Sequence, residues 1–148
     1  MEKVYLDSAA TTQMRPEVIT KITEVMQENY GNPSSTHSFG RSAKSLIERA
    51  RKTIAKQLNV TAAEIIFTSG GTEADNLALN SAVRDLGVRR IITSEIEHHA
   101  VLYCVNQLKD CFDIEVEYVK LTAEGEVDLE DLGNRLEHSD VKTLVSLM

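Results

Sequence analysis

The chain has 148 residues, of which 42% are hydrophobic and 26% charged, the balance of a globular protein rather than of a disordered or fibrous one. Sixteen basic against 23 acidic residues give a formal net charge of −7, which argues against a nucleic-acid partner. Two cysteines are too few for a disulfide scaffold, and no apolar run is long enough for a membrane span. We therefore expect a cytoplasmic α/β protein without a membrane partner.

The first half of the chain is predicted to be mainly helical. In chain order its elements are a short extended segment at residues 4–6, a helix from near Arg15, a helix from about Phe39 to Leu58, and one turn at Thr61–Glu64. Both helices place apolar residues at helical spacing along one face, and Pro16 suits a first turn. Thr61 and Glu64 have the spacing of a capping box.

The second half alternates between strand and helix patterns. Strands are expected at residues 65–68, 90–93, 113–119 and 143–148, and helices at residues 72–86, at 99–109 and from Asp128 onward. This alternation predicts crossover connections and a mostly parallel sheet. Residues 65–68 form a β-rich run typical of the centre of a sheet. We expect an N-terminal segment at 1–14, N-terminal helices at 15–60, and the first part of an α/β domain at 61–148.

The last predicted strand, residues 143–148, is apolar and has no polar stop after it. A strand of a parallel sheet needs neighbours on both edges and helices on both faces. We interpret the chain as the N-terminal piece of a larger protein. The alternative is an edge strand that completes the domain.

The sharpest local motif is Thr68-Ser-Gly-Gly-Thr-Glu73, which follows a predicted strand and opens a predicted helix. Exposed amides and the helix dipole at such a helix start favour an anion, most often a phosphate. The motif lacks the lysine of a nucleotide triphosphate loop and is not G-x-G-x-x-G. The alternative is a plain capped strand-to-helix turn.

A second polar motif, residues 94–99, follows the strand at 90–93 and so lies at the sheet edge where ligands of α/β proteins bind. His98 and His99 are adjacent, and their rings diverge by about 100° on a helix. We therefore expect no shared metal there, although an imidazole could stack on a ring or carry a proton. The alternative is a helix start, since Ser94 and Glu97 also have capping-box spacing.

The remaining histidines and cysteines are weaker candidates. His37 is expected to be a solvated loop residue and His138 a surface residue in an acidic stretch. Cys104 and Cys111 have no neighbouring histidine or lysine that would lower a thiol pKa, so neither is a persuasive nucleophile.

Four motifs in this order resemble those of the cysteine desulfurases, which are class V, fold-type I pyridoxal-phosphate (PLP) enzymes. They are residues 5–12 (YLDSAATT), 30–37 (YGNPSSTH), 65–76 (IIFTSGGTEADN) and 97–102 (EHHAVL). The resemblance implies the first half of the large domain of a fold-type I PLP-dependent transferase. The 30–37 loop resembles the branch that supplies sulfur for iron–sulfur assembly, whereas the paired histidines are more usual in the sister branch.

The resemblance also implies roles for individual residues. Gly71 and Thr72 would hold the phosphate of pyridoxal 5'-phosphate, and His98 would stack on its pyridine ring and assist proton transfer. The substrate would be L-cysteine, whose sulfur passes to a protein cysteine as a persulfide and leaves alanine. The implied partners are a sulfur-acceptor or scaffold protein and a second copy of the chain in a homodimer.

The chain departs from the family in one respect. The Schiff-base lysine, the aspartate that pairs with the pyridine nitrogen and the persulfide cysteine would all lie beyond Met148. None of the eight lysines stands in a matching context, so we expect the chain alone to be inactive. The alternatives are another class V PLP enzyme, such as a selenocysteine lyase or an aminotransferase, and a non-catalytic α/β remnant or binding module.

Overall fold

The computed structural model describes residues 3–137 and 140–148, so the expectation for His138 lies outside the described residues. The chain forms two compact units, Met1–Ile66 and Phe67–Met148. None of the helices in the described ranges combines the length and the apolar character needed to cross a bilayer.

The first unit contains α1 (Pro16–Glu28), α2 (Ser38–Leu58) and a 3₁₀ turn at Ala62–Glu64. All three elements are confirmed, and Pro16 occupies the first turn of α1. The capping box is present, since the backbone N–H and the hydroxyl of Thr61 both donate to Glu64 Oε2, at 2.8 and 2.7 Å. These two hydrogen bonds lower the pKa of Glu64.

The loop before α2 packs directly against the start of that helix. Gly40 is buried, and a Cβ built on it would lie 2.4 Å from the Ser35 carbonyl oxygen, so this close approach requires glycine. His37 is exposed, as expected, and its Nδ1 accepts a hydrogen bond from the Gly40 N–H at 3.4 Å. The loop histidine is therefore the N-cap of α2.

The second unit is an α/β layer with a parallel sheet, which confirms the predicted fold class. Its elements are α3 (Gly71–Arg84), β1 (Arg90–Thr93), α4 (His99–Cys111), β2 (Glu115–Tyr118), α5 (Leu129–Glu137) and β3 (Thr143–Val145). The strand order is β2-β1-β3, and both neighbouring pairs are parallel. In register, Ile91 lies opposite Val116 on one side and Leu144 on the other.

The core of this unit lies between the sheet and helices α3 and α4. Ile91 and Ile92 of the central strand have no exposed surface. The cluster around Ile91 consists of Leu79, Ala82, Val83, Val88, Val101, Cys104, Val105, Leu108 and Ile114. Helices α3 and α4 are thereby packed against each other, which brings their N-terminal turns together.

Helix α5 is attached to the sheet mainly through charged groups. Asp128 caps it, since its Oδ1 accepts hydrogen bonds from the Glu130 and Asp131 N–H groups at 3.0 Å. Arg135 Nε donates to Asp131 Oδ2 at 2.7 Å, and its guanidinium also pairs with Glu117 of β2. Glu117 in turn pairs with the buried Arg90 of β1.

The predicted strand at residues 65–68 is wrong. No strand of the described chain pairs with it, and Ile66 and Phe67 are 67% and 46% exposed. A strand exists only where a neighbouring strand completes its backbone hydrogen bonds, and an apolar run cannot show whether that neighbour is present. The predicted strand at 143–148 is confirmed as β3 but ends at Val145 and is only half-buried, because it lies at the edge of the sheet.

Candidate functional site

Helix α3 begins without a side-chain cap, in open space. Its N-cap is Gly70, and the amides of the first turn that begins at Gly71 have no partner within an α-helix. A Cβ added to Gly70 or Gly71 would meet no atom within 4 Å. Gly70 has an extended backbone, with φ of 170° and ψ of −179°, so strain does not require a glycine there. The helix start is therefore accessible to an anion.

The loop before α3 is closed by Glu73. Its Oε2 accepts a hydrogen bond from the Ser69 N–H at 2.6 Å, and hydrogen bonds from Ser69 lower the pKa of Glu73. The Thr68 hydroxyl donates to the Gly70 carbonyl oxygen at 3.1 Å. The carboxylate of Glu73 thus contacts the loop that precedes the helix, whereas Thr72 is exposed.

Helix α4 is capped by His98 and not by Ser94. The Nδ1 atom of His98 accepts a hydrogen bond from the Ala100 N–H at 3.1 Å, and the ring is exposed. Because Nδ1 is the acceptor, the neutral ring carries its proton on Nε2. His99 turns to another face and stacks on Tyr103, with ring centroids 5.3 Å apart and an interplanar angle of 12°.

One side chain joins the two helix starts. Asn76 Nδ2 donates to the Thr72 carbonyl oxygen at 2.8 Å and to the Ala100 carbonyl oxygen at 3.3 Å. The segments with Thr72 and His98 are therefore neighbours. Their proximity follows from helix packing rather than from two adjacent strand ends. The sequence motifs alone assign no role to Asn76, although its position one turn after Thr72 is a usable signal.

Polar atoms at the carboxyl end of β1 are buried without partners in the described chain. They are Thr93 Oγ1, Ser94 Oγ and Glu97 Oε1. A buried polar atom without a hydrogen bond typically costs about 1–3 kcal/mol. This edge of the sheet therefore has hydrogen-bonding capacity for groups beyond the described residues.

A cavity of about 170 Å³ lies between α3, α4 and the end of β3. Its lining is mainly apolar and consists of Asp75, Ala78, Leu79, Val101, Leu144, Val145 and Ser146. Neither Asn76 nor Ala100 is among these lining residues.

The two cysteines of this unit differ in burial, and Lys120 and Lys142 each have a polar partner. Cys104 is buried, and burial raises the pKa of its thiol, while Cys111 is exposed at the end of α4. Lys120 pairs with Asp131 at 3.6 Å, and Lys142 Nζ donates to the Leu86 carbonyl oxygen at 2.7 Å. In the described ranges, no group of three His, Cys, Asp or Glu side chains is arranged to hold a metal ion.

The residues present fit the two ends of PLP. The uncapped start of α3 would offer its free amides and the Thr72 hydroxyl to a phosphate. The exposed His98 ring, fixed through Nδ1, offers a flat face to an aromatic ring. The described chain thus has an uncapped helix start and an exposed imidazole at neighbouring helix starts.

The parallel sheet and the helices packed on it define an α/β domain. The chain belongs to the aminotransferase class-V family, whose model matches residues 4–148.

Curated relatives within the cysteine desulfurases are similar over the whole chain. It is 43% identical over 148 residues to cysteine desulfurase IscS of Dictyoglomus turgidum, covering 99% of this chain and 37% of the relative. It is 46% identical over 149 residues to the IscS-like cysteine desulfurase of Mycobacterium tuberculosis, covering 97% and 38%. The chain therefore spans less than two fifths of the length of these relatives.

Solved structures are also similar over nearly the whole chain. A NifS-like protein superposes with a TM-score of 0.79 at 37% identity, covering 94% of this chain and 38% of the other. SspA in complex with cysteine superposes with a TM-score of 0.79 at 29% identity, covering 94% and 40%. The fold is thus that of the PLP-dependent cysteine desulfurases.

Proposed function

We propose that the protein is a PLP-dependent cysteine desulfurase that takes sulfur from L-cysteine and leaves L-alanine. The sulfur passes as a persulfide to an acceptor or scaffold protein, for iron–sulfur assembly or another sulfur-transfer pathway. The observation that carries the proposal is the contact of Asn76 with Thr72 and Ala100, which pairs a phosphate-binding helix start with an oriented histidine. The names of the relatives and the cysteine complex of SspA support the substrate.

Two segments of this chain would hold the cofactor. The amides of Gly71 and Thr72 and the Thr72 hydroxyl bind its phosphate, where the helix dipole also favours negative charge. His98 stacks on its ring and presents a proton on Nε2, because Nδ1 is held by Ala100. When bound, PLP supplies the electron sink that makes the sulfur of the amino acid transferable.

Residues 1–148 alone would bind the phosphate but not turn over L-cysteine. Cys104 is buried with a raised thiol pKa, so it is a poor sulfur carrier. Lys120 pairs with Asp131, and Lys142 donates to the Leu86 carbonyl oxygen. The resemblance assigns the covalent lysine and the persulfide cysteine to sequence after Met148.

We also propose that the full-length protein is a cytoplasmic homodimer. Helix α1 has no buried residues, and its apolar side chains Val18, Ile19, Ile22 and Met26 are exposed, which favours association with another surface. Light scattering of the full-length protein tests the dimer, and a monomer at micromolar concentration would contradict it.

The activity is tested with the full-length protein, PLP, L-cysteine and a reducing thiol. We expect alanine and sulfide in equal amounts. Alanine from L-selenocysteine alone would identify a selenocysteine lyase, and amino transfer to an oxo acid would identify an aminotransferase. No PLP binding would favour a non-catalytic module.

A further inference from the structure

Two asparagines on α3 each contact α4. Asn76 Nδ2 donates to the Ala100 carbonyl oxygen at 3.3 Å, and Asn80 Nδ2 donates to Cys104 Sγ at 3.3 Å. The donors are four residues apart on one helix and the acceptors four apart on the other. Each Nδ2 also donates to its own helix, Asn76 to Thr72 at 2.8 Å and Asn80 to Asn76 at 2.9 Å. The two side chains therefore make matched contacts, one turn apart.

Of these two contacts, only that of Asn76 involves residues of the candidate site. On α3 it holds the carbonyl of Thr72, whose hydroxyl and amide face the anion site. On α4 it holds the carbonyl of Ala100, whose N–H donates to His98 Nδ1 at 3.1 Å. A single amide thus connects the Thr72 backbone to the His98 ring through one intervening residue. Asn80 ends on Cys104, one turn further from both helix starts.

We propose that Asn76 is a positioning residue that fixes the separation between Thr72 and His98 for PLP. This inference rests on the proposed function. The phosphate and the ring of PLP are joined by a short link, so the two groups that bind them must keep a set distance. An amide nitrogen has two N–H groups and satisfies two carbonyl oxygens on different helices at once. Alanine satisfies neither carbonyl, and a carboxylate would place negative charge against both.

The experiment compares Asn76→Ala with the matched variant Asn80→Ala in the full-length, cofactor-free protein. Each variant removes one contact between the same two helices, so similar losses of thermal stability are expected. PLP affinity is then measured by fluorescence titration. Asn76→Ala should weaken PLP binding about tenfold, and Asn80→Ala should change it less than about threefold.

Hydrogen exchange of the cofactor-free protein gives a second readout, independent of binding. In Asn76→Ala the amides of residues 100–103 should exchange faster, whereas in Asn80→Ala the change should appear further along α4. Asn76→Asp keeps the side-chain shape and should weaken PLP binding at least as much as Asn76→Ala, so loss of volume cannot explain the result.

The variants Thr72→Ala and His98→Ala distinguish a wrong role for Asn76 from a wrong PLP site. If both weaken PLP binding while Asn76→Ala does not, or if Asn76→Ala and Asn80→Ala weaken it equally, the positioning role is wrong and the proposed function stands. If Thr72→Ala and His98→Ala also leave PLP affinity unchanged, the proposed site itself is wrong, and the role of Asn76 is overturned with it.

Discussion

The Nδ1 atom of His98 accepts a hydrogen bond from the backbone N–H of Ala100 at 3.1 Å. This contact caps α4 and determines which ring nitrogen carries the proton. The neighbouring His99 has a different partner, since its ring stacks on Tyr103. Two adjacent histidines of one motif therefore have different surroundings and different expected roles.

Replacing His98 should impair turnover far more than replacing His99. We expect His98→Ala to lower kcat about 100-fold, the usual scale for loss of a proton-transfer group, and His99→Ala to remain close to wild type. His98→Asn is the control for folding, since asparagine is a good N-cap and keeps an acceptor for Ala100. Steady-state kinetics measure the effect, and equal activities of the two alanine variants would contradict it.

The amide of Gly71 can be removed without disturbing the helix. Proline is favoured at the first helical position, and Gly70 before it is already extended, so Gly71→Pro should fold. It deletes the N–H and should weaken PLP binding about tenfold. Gly71→Ala keeps the N–H, and its Cβ meets no atom within 4 Å, so affinity should be unchanged. Equal affinities of the two variants, measured by titration, would exclude the amide as a ligand.

Gly40 and Gly133 should respond oppositely to the same substitution. A Cβ on Gly40 would lie 2.4 Å from the Ser35 carbonyl oxygen, so Gly40→Ala should destabilise the first unit by about 1–3 kcal/mol. Gly133 lies within α5 with nothing near its Cβ position, so Gly133→Ala should stabilise by about 0.5–1 kcal/mol. Urea unfolding measures both, and a neutral Gly40→Ala would contradict the close packing of this loop.

The Asp131 contacts should contribute stability only above acidic pH. The Arg135 side chain, followed by the Lys120 N–H, lowers the pKa of Asp131 below its ordinary value of 3.8. A carboxyl group whose pKa is lower in the folded than in the unfolded state stabilises the fold at any pH above the unfolded-state pKa. This stability is lost as the pH falls through the folded-state pKa. Asp131→Asn should therefore be less stable than wild type at pH 7, and the difference should shrink below pH 3.8.

The matched control for this pH effect is Glu130→Gln, which changes an exposed carboxylate on the same helix. Its stability should follow wild type at both pH values. Urea unfolding at pH 7 and pH 3 provides the comparison, and a constant difference for Asp131→Asn would show that the carboxylate charge is not the cause.

The two cysteines should differ sharply in reactivity. Burial raises the pKa of the Cys104 thiol and shields it, whereas Cys111 is exposed. With iodoacetamide at pH 8, peptide mass spectrometry should show early labelling of Cys111 and labelling of Cys104 only after urea is added. Equal rates in the folded protein would contradict the packing of α4 against α3.

The fold could be predicted where a pattern is local. Strand β1 was expected at residues 90–93 and is found there, because its buried apolar run is bounded by polar residues on both sides. Residues 65–68 have the same local pattern but no neighbouring strand in the described chain, and pairing is a non-local property. For the same reason, the strand predicted at residues 143–148 is longer than β3, which ends at Val145.

The site could be predicted only in part for the same reason. The motifs around Thr72 and His98 were visible as helix starts after apolar runs. The connection through Asn76 depends on a contact between residues 24 positions apart. This contact follows from the packing of α3 on α4. Periodicity predicts each helix by itself but not which helices pack together.

The most direct test of the central claim, that the starts of α3 and α4 bind PLP, is a PLP titration of the cofactor-free full-length protein. We predict one PLP per chain in the wild type, with affinity reduced about tenfold or more in both Thr72→Ala and His98→Ala. Equal PLP affinity in all three proteins would contradict the assignment of this site.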